Sequence, residues 1–150
     1  MWLLKQFCIS CPALPPPTQL ELILDGDVKD KQSKYEGNYS IVYNYVNGLP
    51  YWKQQNRFSI NAIWFYNFYD GRQYWFIGKE SMLGSTNVGI VLPTSSFAIW
   101  PHQIVDGFEY YDGISFKPAS SSDVTINDCN CFQYMFPLLL MIVPSLQTVF

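Results

Sequence analysis

Two short turns constrain this chain more than any other feature. Asn47-Gly48 and Asp70-Gly71 each stand between two runs of aromatic and β-branched residues. Tyr39–Val46 (YSIVYNYV) precedes the first turn and Leu49–Gln54 (LPYWKQ) follows it. Phe58–Tyr69 (FSINAIWFYNFY) precedes the second and Arg72–Gly78 (RQYWFIG) follows it. Asn-Gly and Asp-Gly tolerate the positive φ angles of a tight hairpin, and the flanking side chains suit a pleated, half-covered surface. The pattern predicts two antiparallel hairpins in the middle of the chain.

The flanks continue in the same style. Leu20–Leu24 reads as a short strand and Asp25–Glu36 as a polar loop. A Gly/Ser/Asn loop at Gly84–Asn87 leads to a strand at Val88–Leu92, which Pro93 ends. Phe97–Trp100 is another short apolar run. Phe108–Tyr111 and Ile114–Phe116 flank Asp112-Gly113 as a third hairpin, and Val124–Ile126 is a last small strand. No stretch carries a sustained helical period with caps. Short strands with frequent turns predict one all-β domain over residues 19–129, an antiparallel sandwich or small barrel built from hairpins. Residues 1–18 and 130–150 flank it.

Alternation along the longest strand assigns its faces. Phe58, Ile60, Ala62, Trp64, Tyr66 and Phe68 share one side, which is predicted to face the core. Ser59, Asn61, Ile63, Phe65, Asn67 and Tyr69 share the other, half-polar side, which meets solvent or a second layer. Pro50 lacks a backbone N–H, so its strand needs an edge or a bulge there.

Composition narrows the function classes. Aromatic residues make up 18% of the chain and charged residues only 14%, against about 25% charged in ordinary domains. That excludes a disordered chain and a coiled coil. A net charge of -3 without a basic patch excludes general nucleic-acid binding.

The ends are distinct. Cys8-x-x-Cys11 and Cys129-x-Cys131 hold all four cysteines, and Cys8, Cys11, Cys129 and Cys131 are disulfide candidates if the chain is exported, with unpaired thiols as the other option. A zinc ribbon would use C-x-x-C in both pairs, so no metal site is expected. Lys5 and Gln6 interrupt the apolar stretch of residues 1–14, which makes a poor signal peptide. Pro15-Pro16-Pro17 is a stiff spacer. Met135–Val143 (MFPLLLMIV) is too short for a bilayer, which needs about 20 residues. Ser120-Ser121-Ser122, a polar spacer and this hydrophobic tail follow the order of a lipid-anchor signal. A last core strand and a gene-model artefact are the other readings.

Several short patterns recur together: Gly37-x-Tyr39, Asn47-Gly48-x-Pro50-x-Trp52, Ala62-Ile63-Trp64, Trp75-x-Ile77-Gly78 and Val124-x-Ile126-x-x-Cys129. As a set they resemble an unnamed β module of about a hundred residues in invertebrate and protist proteins. The resemblance spans roughly residues 20–129. It implies a self-contained β unit and transfers no catalytic residue.

Catalytic and metal chemistry finds little support. Asp25 to Glu36 has the length of a calcium loop, but Lys29 and Asp30 occupy its fifth and sixth positions, where the sixth needs Gly. The segment reads as an exposed acidic turn. His102 is the single histidine, and no G-x-S-x-G elbow exists for it to serve. Asp106, Glu109 and Asp112 could supply a hydrolytic carboxylate pair, but Asp106-Gly107 and Asp112-Gly113 read more simply as turns. No catalytic residue and no cofactor is assigned.

The aromatic surplus points instead to contact surfaces. Tyr43, Tyr45, Phe65, Tyr69, Tyr110 and Tyr111 are the candidate ligand- or partner-binding residues. Asn38-Tyr39-Ser40 is a glycosylation sequon whose Asn38 opens a strand. The expectation is a non-enzymatic binding or adhesion module, extracellular or at the cell surface, with a protein or glycan partner. A small-ligand-binding β-barrel and a glycoside hydrolase-like enzyme are the competing readings. Membrane attachment is expected only through the C-terminal lipid anchor.

Trp64 belongs to the face assigned to burial. Trp64→Ala is expected to lower unfolding stability by about 3–5 kcal/mol in a denaturant titration. A near-neutral result would show that the face assignment is wrong.

Overall fold

A computed structural model shows the fold, with residues 15–56, 58, 60–94 and 99–129 described. Cys8, Cys11, Cys131, Phe97 and the 135–143 tail lie outside these residues. Nine antiparallel strands form a single sheet. They are β1 (Gln19–Leu24), β2 (Gly37–Val46), β3 (Leu49–Gln54), β4 (Asn61–Asn67), β5 (Gln73–Lys79), β6 (Ile90–Pro93), β7 (Glu109–Tyr111), β8 (Phe116–Pro118) and β9 (Val124–Asp128). Each of β1 to β8 lies beside its neighbours in sequence, and β9 returns to pair with β1. The all-β antiparallel expectation therefore holds.

The turns behave as their residues require. Asn47 and Gly48 have φ of 52° and 88°, so both centres of the β2–β3 turn are left-handed, as in a type I′ hairpin. At the β4–β5 turn only Gly71 is left-handed, with φ of 85°. Gly71 N–H donates to Phe68 O at 2.9 Å and Phe68 N–H donates to Arg72 O at 2.8 Å. That closes a three-residue loop with a bulge at the glycine. In the β7–β8 turn Asp112 Oδ1 accepts from Ile114 and Ser115 N–H at 2.7 and 2.8 Å. Pro50 sits where the β2–β3 register slips between Val42 and Tyr45. A bulge is what a proline inside a sheet needs.

The sheet curls into a half-barrel because its two edges are tied together. β8 and β9 are the edge strands, yet only residues 119–123 connect them. Flat, nine strands would span about 38 Å at roughly 4.8 Å per spacing. A linker this short reaches about 20 Å at most.

Helix α1 (Gly26–Gln32) and a 3-10 turn at Ser33–Tyr35 connect β1 to β2, and α1 packs against β7 across the open side. This corrects the polar-loop expectation for Asp25–Glu36. Asp25 caps the helix and accepts from Gly26 N–H at 2.8 Å. Val28 and Gln32 are its buried residues, and Tyr35 of the 3-10 turn is buried with them. Their spacing of four and three is helical, but one apolar and one aromatic residue among charges made a weak periodic signal.

Inside the curl, Leu20, Leu22 and Leu24 of β1 meet Tyr39, Trp52, Ile63, Trp75, Ile90 and Val124 from other strands. Trp52 is central. Its ring stands edge-on to Trp75 at 5.4 Å and to Trp100 at 6.1 Å. Its Nε1–H donates to Pro17 O at 2.8 Å, which draws the proline spacer onto the domain. Tyr39 OH donates to Tyr35 O at 2.5 Å, and burial pushes that hydroxyl's pKa far above its ordinary value.

The face assignment on β4 is reversed. Ile63 and Phe65 point into the main core, while Ala62 and Trp64 belong to a second cluster on the outer face. Phe58 and Ile60, expected in the core, are 86% and 54% exposed because β4 begins only at Asn61. Asn61 is buried, and its Nδ2 donates to Lys34 O at 2.8 Å and Gln54 Oε1 at 2.9 Å. Trp64 is fully buried, as expected, but in the outer cluster. Its indole lies over Gly78, where a Cβ would come within 2.8 Å of Trp64 Cη2.

Gly89 faces α1 in a similar way. A Cβ there would overlap the Tyr35 ring and lie 2.8 Å from Gln32 Oε1. Gly89→Ala is therefore expected to destabilise the domain by about 1–3 kcal/mol, read as a lowered denaturation midpoint. An unchanged midpoint would show that α1 shifts freely on the sheet.

Candidate functional site

The outer face of β4 to β8 is built from alternate residues of each strand. Register sets Trp64 opposite Phe76 and Tyr66 opposite Tyr74, and then Phe76 opposite Val91 and Val91 opposite Glu109. Their side chains share one face. A 3-10 turn at Glu80–Met82 and the loop after it place Leu83 and Val88 against the Trp64 half of this face. Lys53 and Glu80 pair at 2.9 Å and hold that turn to β3.

The other half stays open. Here a groove of about 210 Å³ is lined by Phe68, Arg72, Tyr74, Phe76, Thr86, Val91, Glu109 and Phe116. Its rings are mutually packed. Tyr66 and Tyr74 each stack with Phe76, at 5.2 and 6.1 Å between centroids. Phe68 stands edge-on to Tyr74 at 5.5 Å and to Phe76 at 6.3 Å. Such contacts lock ring orientation before any ligand arrives. The groove is therefore aromatic and pre-oriented, with Tyr74, Phe76, Val91, Glu109 and Phe116 on strands and Phe68, Arg72 and Thr86 on the adjoining turns.

Two charged residues rim it. Arg72 lies over the Phe68 ring at 5.4 Å. Its Nε donates to Asp70 Oδ2 at 2.7 Å, and its backbone N–H donates to Asp70 Oδ1 at 3.1 Å. Hydrogen bonds from Arg72, its backbone N–H first, hold the Asp70 carboxyl below the usual carboxylate range. Glu109 is exposed on β7.

The residues expected to bind separate into three groups. Tyr43, Tyr45 and Tyr69 are exposed, the first two beside the β2 bulge and the third in the β4–β5 turn. Tyr111 is partly exposed and its ring meets Phe116 of the groove at 5.5 Å. Phe65 and Tyr110 are corrections: both are buried in the main core. Alternation turns each inward, and the curl covers that side. Phe68, Tyr74, Phe76 and Phe116 were missed as site residues. The signal that could have found them is the aromatic surplus on both faces of β4, since one curled sheet has a single inside.

The candidate acidic residues and His102 occupy different settings. Turn-forming hydrogen bonds from the backbone N–H of Ser115 and then of Ile114 hold the Asp112 carboxyl below the usual range. Glu109 opens into the outer groove, whereas His102 sits on the 3-10 turn Pro101–Gln103 that packs against β9. Asn38 is exposed on β2. Cys129 is exposed, just past β9. Ser120-Ser121-Ser122 form the turn directly before β9, so a cut there would remove β9 from the sheet. Among the described residues no helix is long and apolar enough to cross a membrane, and no His, Cys, Asp and Glu side chains cluster as metal ligands.

His102 yields a pH dependence. Its Nδ1 is buried with no hydrogen-bond partner among the described residues. Burial lowers its pKa, and the Asp128 charge only partly opposes this. The unfolded chain therefore binds the proton first, near pH 6.5, and stability falls as pH drops below that value. Thermal unfolding between pH 7.5 and 5.5 is expected to show this fall, and His102→Gln is expected to flatten it. A slope unchanged in the variant would assign it to other groups.

Comparison of the chain with family models, curated proteins and solved structures finds no match, so function rests on the chemistry of this groove.

Proposed function

We propose that the protein is a non-enzymatic binding module, extracellular or at the cell surface, that engages a protein or glycan partner through the outer groove of β4 to β8. The observation that carries this reading is the open aromatic groove on a rigid sheet. Aromatic side chains give large contact area for little lost rotamer freedom, and they dominate recognition surfaces. A sheet face that has a second apolar cluster and still leaves one part open is suited to a partner there. The interior offers less to a ligand, because Trp52, Trp75 and Trp100 fill it with their rings in contact. Placement outside the cell draws on the exposed sequon at Asn38.

The test compares wild type with a Tyr74→Ala/Phe116→Ala double variant on a glycan array and on a panel of extracellular proteins. Binding is expected to drop at least about tenfold in the double variant, the scale of removing two anchor rings. A triple variant at Tyr43, Tyr45 and Tyr69 is expected to bind nearly as wild type. Loss in the triple variant alone would move the contact to the hairpin ends and overturn the groove assignment.

A further inference from the structure

The charge balance of the groove narrows what it accepts. Arg72 is already paired with Asp70 at 2.7 Å, and its guanidinium rests on Phe68. Glu109 has no such partner: none of the ion pairs among the described residues includes it. The nearest lysine along β8, Lys117, pairs in register with Tyr110, whose ring points inward, and alternates to the face opposite Phe116 and Pro118. The uncompensated charge at the groove is therefore one carboxylate. Beside it stand Tyr74, Phe76 and Phe116, whose ring faces carry negative quadrupole charge. Carboxylate and ring faces together favour a cation with an apolar skin.

Size points the same way. About 210 Å³ falls below the roughly 300–1,000 Å³ of pockets that enclose drug-sized ligands. It suits a compact head group at the end of a partner. A small hard cation would lose its water for aromatic walls that cannot replace it. An alkylated ammonium spreads its charge over methyl groups and is weakly hydrated, so it gains from both walls and carboxylate.

We infer that the outer groove is a binding site for a quaternary ammonium head group, with Tyr74 and Phe116 as its walls, the buried Phe76 as its floor and Glu109 as its counter-charge. This rests on the groove being the module's contact site and names the chemical group it reads. Thr86 adds a hydroxyl at the rim, suited to the alcohol oxygen of a choline-like ligand.

The experiment titrates choline chloride into the ¹⁵N-labelled full chain and follows amide shifts by NMR. Saturable shifts are expected at Phe76, Val91 and Glu109. Glu109→Gln and Phe116→Ala are each expected to weaken choline by about two- to fivefold, the range of a solvent-exposed cation–π or charge contact. Phe116 is exposed on an edge strand, so its loss leaves the fold intact by thermal melt. The neutral isostere 3,3-dimethyl-1-butanol is expected to bind at least about tenfold more weakly than choline. Equal binding of the isostere would overturn the inference while leaving the groove as a contact site. Absence of shifts with choline would also overturn it, and the array result would still decide the binding-module reading on its own. Given choline binding, co-sedimentation with phosphatidylcholine vesicles, reversed by free choline, assigns the head group to lipid. Choline binding without co-sedimentation assigns it to a soluble source.

Discussion

The short tie between the two edge strands is the constraint on which the rest of this structure depends. β8 ends at Pro118 and β9 begins at Val124, and these strands lie at opposite ends of a nine-stranded order. So short a linker cannot cross a flat sheet of that width. The sheet must roll, and once rolled it has an inside that every strand can fill. That explains why strands as brief as β7 and β8 persist as part of the fold. β7 puts Tyr110 into the packed interior, and the exposed edge strand β8 pairs with β7.

Rolling also makes the two faces unequal, and this bears on function. The inside is closed by Trp52, Trp75, Trp100 and the α1 residues Val28 and Gln32, with Tyr35 beside them. The outside receives cover only where the Glu80–Met82 turn and Leu83 fold back on Trp64. Past that cover the same row of outward side chains runs on through Phe76 to Tyr74 and Phe68 without a lid. One stripe of residues is thus core at one end and recognition surface at the other. Stability and binding share the ring packing of Tyr66, Phe76 and Tyr74, since the contacts that orient the groove also belong to the second cluster.

Polar groups set the finer geometry. Gln54 Nε2 donates to Glu36 O at 2.7 Å while its Oε1 accepts from Asn61, which fastens the α1 connection to the sheet without apolar contact. Gln103 Oε1 accepts from Ile99 and Trp100 N–H at 2.8 and 2.9 Å, and so presents the Trp100 ring to the core. These are single amides that each hold two chain segments. Buried polar groups satisfied in this way are what distinguish one arrangement of a largely apolar chain from its many near-equivalents.

The sequence by itself determined the strands, the hairpins and their turns. Asn47-Gly48 and Asp70-Gly71 act locally: a left-handed φ and a return strand need nothing from the rest of the molecule. The burial of Trp64 was equally legible, because so large an apolar side chain finds cover in almost any packing of this strand. What only the tertiary structure decided was direction. Period-2 alternation separates two faces and does not say which one is inside, and with apolar residues on both faces of β4 there was no polar side to break the tie. The curl broke it. It turned Phe65 and Tyr110 inward, left Phe68, Tyr74 and Phe116 outward, and brought Arg72 and Glu109 from separate hairpins to one groove. The helix α1 was a similar case, since Val28 and Gln32, with Tyr35 of the following 3-10 turn, read as helical only once a surface exists for them to face.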